Sequence, residues 1–244
     1  MLSGKAAIVT GASRGIGRGI ALSLARHGAD LILNATSEAG LETCRAEVLA
    51  LGRRVMTVAG DIALSETAEA LVQAALTEYG KIDIVVNCAG INQDKMLHKI
   101  TDESWNRVLA VNLNGTFYLT RRAAIEMRKQ KSGRIINMGS SAWMGNFGQA
   151  NYAASKGGIV ALTRSAALEL GGLGITCNVL CPGLIETDMT KGMPETVREK
   201  MLSRIPSRKM GQPEDVGELA AFLASDAAGY INGEIINVGD GFSL

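Results

Sequence analysis

Apolar runs of about five residues recur along the chain, separated by longer stretches whose apolar positions return every three or four residues. In the first half the runs are AAIVT (6–10), LILNA (31–35), VMTVA (55–59) and IDIVVN (82–87). The segments between them, near 15–27, 38–51 and 65–79, carry the helical period. Short apolar runs alternating with helical segments predict β-α-β units, hence a parallel sheet with helices on both faces. The second half continues the alternation. It predicts a long helix over about 102–131, a strand RIINMG, a helix over 152–171, a strand ITCNVLC, a helix over 214–225 and a strand over 234–238. Thr101 suits the N-cap of the long helix, with Asp102 and Glu103 complementing its dipole. Pro194 and Pro213 suit the first position of two later helices.

With 244 residues, 47% of them apolar, the chain can bury a full core, and no stretch reads as a linker. One α/β domain spanning 1–244 is expected, a doubly wound parallel sheet of about seven strands. The segment 184–210 sets Met189, Met193, Met201 and Met210 among charges and reads as a lid for an apolar substrate. A net charge of +1 gives no electrostatic case for a nucleic-acid or membrane partner. Cys44, Cys88, Cys177 and Cys181 form no C-x-x-C pair, so neither a disulfide framework nor a metal site is expected. The first strand begins within a few residues of Met1, without a signal peptide or membrane-length apolar run, so a cytoplasmic location is expected.

Candidate chemistry gathers at the ends of the predicted strands. TGASRGIG (10–17) follows the first strand and opens the first helix. Glycines 11, 15 and 17 permit a tight turn and close backbone approach, and the helix N-terminus offers N–H groups to a pyrophosphate. Where a carboxylate would bind ribose hydroxyls and select NAD, the second strand ends in Asn34, Ala35, Thr36 and Ser37, with Arg14 in the glycine loop. That arrangement suits a 2′-phosphate and favours NADPH. Glu38 is close but begins the next helix. Asp61, just past the third strand, is either an acceptor for an adenine amino group or an ordinary turn residue. Asn87-Cys88-Ala89-Gly90 ends the fourth strand with small residues at the ligand-binding edge of the sheet. Asn112 lies in an otherwise apolar helical stretch, VLAVNLNG, either satisfied locally or reserved for a water relay.

The stretch from Ser140 to Lys156, SSAWMGNFGQANYAASK, holds Tyr152 and Lys156 four residues apart. On a helix that spacing puts both on one face. The ammonium favours the phenolate by Coulomb attraction, which makes the pair a general acid/base. Ser140 could hydrogen-bond the same substrate oxygen.

Taken together in this order, the glycine loop, NCAG, Asn112, Ser140, Tyr152 and Lys156 resemble the short-chain dehydrogenase/reductase family over the whole chain. The resemblance implies a Rossmann-like fold and a catalytic set of Asn112, Ser140, Tyr152 and Lys156. In that set Tyr152 donates the proton, Ser140 polarises the carbonyl oxygen, Lys156 binds the nicotinamide ribose, and Asn112 holds a water linking Lys156 to solvent. The cofactor-binding set it implies is Gly11, Ser13, Arg14, Gly15, Ile16, Gly17, Thr36, Asp61, Ile62, Asn87, Ala89, Gly90, Tyr152, Lys156, Pro182, Gly183, Ile185 and Thr187. Within the family, TGASRGIG, ATSE, GQANYAASK and QPEDV look most like the bacterial β-ketoacyl-acyl-carrier-protein reductases of fatty acid synthesis. That likeness implies NADPH-dependent carbonyl reduction on an acyl carrier protein by a homotetramer. The chain departs from that pattern in a Ser140–Tyr152 loop one residue shorter, which favours Ser140 over Ser141. Leu173 stands where an Arg is frequent, and NVGDGFSL replaces an Asn-Gly-Gly ending. A basic residue two before Gly133 is kept as Lys131, and with Arg128 and Lys129 it is expected to form a carrier-docking patch at the active-site mouth.

Other readings fare worse. Ser140 lies in GSSAW rather than G-x-S-x-G, and His27 and His98 are the sole histidines, which argues against a serine hydrolase. A reductase of free small ketones, sugars or alcohols is the alternative within enzymes, and a non-catalytic NADPH-binding regulator the alternative outside them.

Overall fold

The computed structural model describes residues 1–242; Ser243, Leu244 and the side chain of Met189, one of the methionines of the 184–210 segment, lie outside the described residues. Seven strands form one parallel sheet: β1 (Ala6–Thr10), β2 (Asp30–Ala35), β3 (Val55–Ala59), β4 (Ile84–Asn87), β5 (Gly133–Met138), β6 (Ile175–Pro182) and β7 (Ile235–Val238). Their order is β3-β2-β1-β4-β5-β6-β7. The helices are α1 (Gly15–Arg26), α2 (Glu38–Ala50), α3 (Ser65–Tyr79), α4 (Asp102–Leu109), α5 (Gly115–Gln130), α6 (Ala150–Leu170), α7 (Asp188–Lys191), α8 (Glu195–Leu202) and α9 (Pro213–Ala224).

Strand alternation sorts the core into two layers. Ala7 and Val9 of β1 face Ile20 and Leu24 of α1, Leu41 of α2 and Val216 of α9. Ile8, between them, faces the other way, into Leu71 of α3, Leu119 of α5 and Leu170 of α6. Strands covered on both faces need apolar residues at nearly every position, which is why these runs are continuous. β1, β2, β4 and β6 are buried throughout, while the edge strands β3 and β7 keep partly exposed positions.

The chain turns back at β1. It builds outward through β2 and β3, then returns to place β4 on the other side of β1 and continues through β7. Past the ends of β1 and β4 the chain leaves toward opposite faces of the sheet, and a crevice forms at the carboxyl edge, where such folds take ligands.

The expected long helix over 102–131 is not continuous. Thr101 caps α4 by accepting from the Ser104 N–H at 3.2 Å, but a π-helical turn over Ala110–Asn114 separates α4 from α5. An apolar pattern cannot show this, because one wide turn shifts the periodicity by less than a residue. Pro213 opens α9 as expected, whereas Pro194 is the N-cap of α8. The 184–210 segment forms the short helices α7 and α8.

Asp30 anchors the amino edge of the sheet. Buried at the start of β2, it accepts from the Arg54 N–H (3.1 Å) and Nε (3.0 Å) and pairs with Arg53. Burial pushes its carboxyl upward, but the Arg54 and Arg53 donors outweigh that and hold it below the ordinary carboxylate value. A depressed folded-state value contributes stability above the unfolded value, and that stability is lost as pH falls through the folded one. Asp30→Asn should therefore cost about 2 kcal/mol at neutral pH. In urea melts, the gap from wild type should close as pH drops below about 4. A gap independent of pH would show that the charge is not what stabilises this edge.

Candidate active site

The glycine loop is shaped by contacts that leave no room for side chains. A Cβ at Gly11, where φ is +67°, would lie 2.8 Å from the Ala89 Cα, and one at Gly17 would lie 2.1 Å from the Gly11 carbonyl oxygen. The loop after β1 is thus pressed onto the loop after β4. The Thr10 hydroxyl fixes the second loop by accepting from the Cys88 and Ala89 N–H groups at 3.0 and 3.1 Å. α1 starts with no acidic residue in its first turn and no side-chain cap. Arg14, exposed at its N-cap, makes no ion pair among the described residues. A helix N-terminus left open beside an unpaired guanidinium fits a diphosphate.

Around the end of β2 the polar residues divide. Asn34 is buried and donates to the Val58 (3.0 Å) and Gly60 (3.2 Å) carbonyls, which ties β2 to the end of β3 and takes it out of ligand binding. Glu38 accepts from the Thr57 hydroxyl as the first residue of α2. Thr36 and Ser37 stay exposed, and Ser13 lies against the α2 start, its Cβ 3.5 Å from where a Gly40 Cβ would sit. Asp61 makes the turn contact of one sequence reading and, in addition, an ion pair that the sequence did not show. Its Oδ1 accepts from the Ala63 N–H at 3.0 Å, a turn contact, while Oδ2 pairs with Arg107 of α4 at 2.7 Å. Burial raises its carboxyl, but those two donors win and hold it below the ordinary range. Ile62 beside it is buried against Gly115.

The catalytic candidates converge at the carboxyl ends of β4 and β5. α6 begins at Ala150, so Tyr152 and Lys156 are one turn apart on it, with the Lys156 Nζ 5.5 Å from the phenol ring centre. Lys156 is 4% exposed and donates to the Met138 carbonyl at 2.7 Å. A buried ammonium has three donors, and no carboxylate approaches this one among the described residues. It faces Gly90, where an added Cβ would be 3.6 Å from Nζ. Asn112 sits in the π turn, fully buried and satisfied locally. It accepts from the Ile91 N–H (2.8 Å) and donates to the Ile91 carbonyl (2.9 Å) and the Ser155 hydroxyl (3.0 Å). Asn87 donates to Asn137 (2.8 Å) and Thr120 (3.0 Å), and its own Oδ1 is buried without a partner among the described residues. Burial pushes the neighbouring Cys88 thiol up to about 12, so it stays protonated at neutral pH.

A cleft of about 200 Å³ opens beside Tyr152, with Lys156, Asn112, Asn87 and Cys88 outside its lining. Ser140 and Ser141 line it with Tyr152, and the Ser140 hydroxyl accepts from the Ala142 N–H at 3.2 Å. Ile16, Pro182, Gly183, Ile185 and Thr187 form the wall on the glycine-loop side. Thr187 reaches the loop itself, its Cγ2 3.3 Å from where a Gly15 Cβ would sit. Asn92, Asn146, Gln149 and Phe242 also line it and were not singled out in the sequence, whereas Met201 comes from the segment expected to act as a lid. Gln149 lies in the quoted GQANYAASK stretch, but nothing local showed that its amide would bond Asp94 across the mouth at 2.9 Å.

The expected docking patch is elsewhere. α5 runs antiparallel to the strands, so Arg128, Lys129 and Lys131 lie beside the start of β5, at the amino edge of the sheet. Leu173 precedes the start of β6 at that same edge. Within one chain the whole strand length separates them from Tyr152.

The arrangement has known counterparts. A family model described as Enoyl-(Acyl carrier protein) reductase matches residues 11–243. The chain belongs to the short-chain dehydrogenase/reductase family. Relatives in this family include the 3-oxoacyl-acyl-carrier-protein reductase FabG of Vibrio cholerae, 43% identical over 100% of this chain and 99% of its own. The FabG of Escherichia coli K12 is also 43% identical, over 99% and 98% of the two chains. That of Staphylococcus aureus Mu50 is 41% identical over 98% of each. A crystal structure described as a short-chain alcohol dehydrogenase of Sinorhizobium meliloti 1021 superposes with a TM-score of 0.95 at 36% identity, covering 99% of this chain and 97% of that one. Among the described residues no helix is long and apolar enough to cross a membrane, and no cluster of metal ligands occurs.

Proposed function

We propose that the protein reduces a 3-oxoacyl thioester carried on acyl carrier protein to the 3-hydroxyacyl thioester, with NADPH, in cytoplasmic fatty acid synthesis. The observation that carries this reading is the cleft in which Ser140 and Tyr152 border one space, backed by the buried Lys156 ammonium. The whole-chain relatives named for this reaction support it.

The open helix N-terminus, the side-chain-free glycine loop and the unused Lys156 donors fit a nicotinamide dinucleotide. Gly11, Gly15, Ile16 and Gly17 would hold its diphosphate, and Ser13, Arg14 and Thr36 the 2′-phosphate. Asp61 and Ile62 would flank adenine, with Asp61 sharing its carboxylate between Arg107 and the base. Asn87, Ala89 and Gly90 would pass the ribose to Lys156, and Pro182, Gly183, Ile185 and Thr187 would hold the carboxamide. The reduced cofactor supplies the hydride that reaches the carbonyl carbon. Tyr152 gives its phenolic proton to the carbonyl oxygen as negative charge develops there, and the Ser140 hydroxyl donates to the same oxygen. Lys156 stabilises the resulting phenolate by its charge and orients the ribose. Asn112 keeps the 91 loop and Ser155 in place behind it.

In the homotetramer proposed here, this surface would form one of the two-fold interfaces. Leu168 of α6 is 87% exposed and Phe117 of α5 is 40% exposed, so the outer faces of these helices are unpartnered within the chain. Pairing them about a two-fold axis is isologous and runs the helices antiparallel. The Lys131 end of one protomer then approaches the cleft of the other, which would give an acidic carrier a basic rim that a single chain does not offer.

Three measurements test this reading. Carrier-bound 3-oxoacyl substrate should have a lower KM than the same acyl group on a small thiol, with the advantage shrinking as salt rises. A 2-enoyl thioester should not be reduced. Equal KM values for carrier and small thiol would identify a reductase of free carbonyl compounds. Tyr152→Phe keeps the ring and removes the proton, so turnover should fall at least 10²-fold while NADPH binding, followed by fluorescence, persists. Near-normal turnover would exclude Tyr152 as the acid. Ala35→Asp sets a negative charge at the end of β2, beside Thr36, and should shift kcat/KM from NADPH toward NADH. An unchanged coenzyme preference would place the 2′-phosphate elsewhere.

A further inference from the structure

Residues 239–242 fold back onto the cleft. Gly239–Phe242 make a tight turn closed by a Phe242 N–H to Gly239 carbonyl bond of 2.8 Å. Asp240 and Gly241 have φ of +48° and +69°, the paired positive angles of a type I′ turn, for which Asp-Gly is a preferred sequence. The reversal lays the Phe242 ring on Gly183. A Cβ added at Gly183 would lie 3.2 Å from both Cβ and Cδ1 of Phe242. Gly183 itself is bonded to β7 through its N–H and the Val238 carbonyl at 3.0 Å.

The same turn grips the segment that covers the site. The Asp240 carboxylate accepts from the Ser207 N–H at 3.0 Å, and a Gly241 Cβ would lie 3.2 Å from Pro206 Cγ. Pro206 and Ser207 follow α8, whose Met201 lines the cleft together with Phe242. Two apolar side chains from distant parts of the chain thus share one wall, and the turn residue between them is the fastening. A left-handed non-glycine residue carries strain, and Asp tolerates it better than most while offering the acceptor that glycine lacks.

We propose that Phe242 is a specificity-determining residue whose ring limits the bulk carried on the substrate carbonyl, held in position by the Asp240 tether to Ser207. The proposal rests on the reductase reading above and adds the residue that sets its substrate range. A ring lying on Gly183 borders the place assigned to the carboxamide, so it meets the acyl chain where it leaves the reacting carbon. A smaller side chain there deepens the cleft toward Met201, and a larger one shallows it.

The experiment compares kcat/KM across 3-oxoacyl thioesters of short, medium and long acyl chain, and across free ketones graded in the same way. Phe242→Ala should raise the long-to-short ratio by about tenfold, and Phe242→Trp should lower it. Phe242→Leu, a milder change, should fall between Phe242→Ala and wild type. NADPH affinity, followed by fluorescence, should stay within about twofold, since the effect is confined to the substrate wall. Asp240→Gly keeps the turn and cuts the tether, so it should move the ratio in the direction of Phe242→Ala by a smaller factor. Ratios unchanged in Phe242→Ala, Phe242→Leu and Phe242→Trp overturn the proposal, as does a change confined to NADPH affinity. A wild type that reduces only the free ketones overturns the carrier reading, and the ketone ratios then decide the role of Phe242. An enzyme that reduces neither series overturns both.

Discussion

The site depends on a buried ammonium. Lys156 is almost inaccessible, no carboxylate approaches it among the described residues, and one main-chain carbonyl, that of Met138, accepts a hydrogen bond from it. Leaving a charge in such a place costs several kcal/mol unless dipoles and hydrogen bonds replace the lost water. The surroundings are arranged for that. β5 ends so that its last carbonyl points at Nζ, Gly90 keeps the approach open by having no side chain, and the Asn112 amide borders the same space. The two other ammonium donors suit a polar ligand at this place. The Tyr152 phenol, one turn earlier, gains a fixed positive neighbour without competing for its hydrogen bonds.

The second constraint is the closeness of the loops after β1 and β4. Gly11 against Ala89 and Gly17 against the Gly11 carbonyl leave less space than one methyl group needs. The sheet order makes this contact unavoidable, because β1 and β4 are neighbours while their chains depart in opposite directions. Glycine is therefore dictated by topology here, and the open α1 N-terminus is a by-product of the same turn. A phosphate-binding cradle and a packing solution are one structure.

Features set by local pattern were legible in the sequence. Seven apolar runs became seven strands, and the spacing of Tyr152 and Lys156 placed both on α6 because a helical period can be counted. What needed the third dimension was missed for identifiable reasons. The π turn around Asn112 interrupts no hydrophobic stripe, so the helix over 102–131 read as one piece. Asn34 resembled a ligand residue until its amide was found tying β2 to the end of β3. Arg128, Lys129 and Lys131 were assigned to the active-site mouth because helix direction was not carried through to the sheet edge. The Asp-Gly pair signalled a turn, but not the face toward which Phe242 would be thrown.

Asp61 and Asn112 are joined through one helical rod. Arg107, the partner of Asp61, occupies the last turn of α4, and the π turn that follows carries Asn112 only five positions further on. One rod thus meets the turn after β3 through the Asp61 salt bridge and the loop after β4 through the Asn112 clamp on Ile91, with Ser155 of α6 bonded to the same amide. Arg107 is exposed, so its pair with Asp61 contributes little to stability by itself. Its consequence is positional: α4 cannot shift along its axis without disturbing both contacts at once. The wide turn at 110–114 is where that rod changes register before α5 resumes normal packing on β4 and β5. The wider turn rotates Asn112 relative to Arg107 by less than one residue of helical period, so the two side chains meet different loops from one continuous rod.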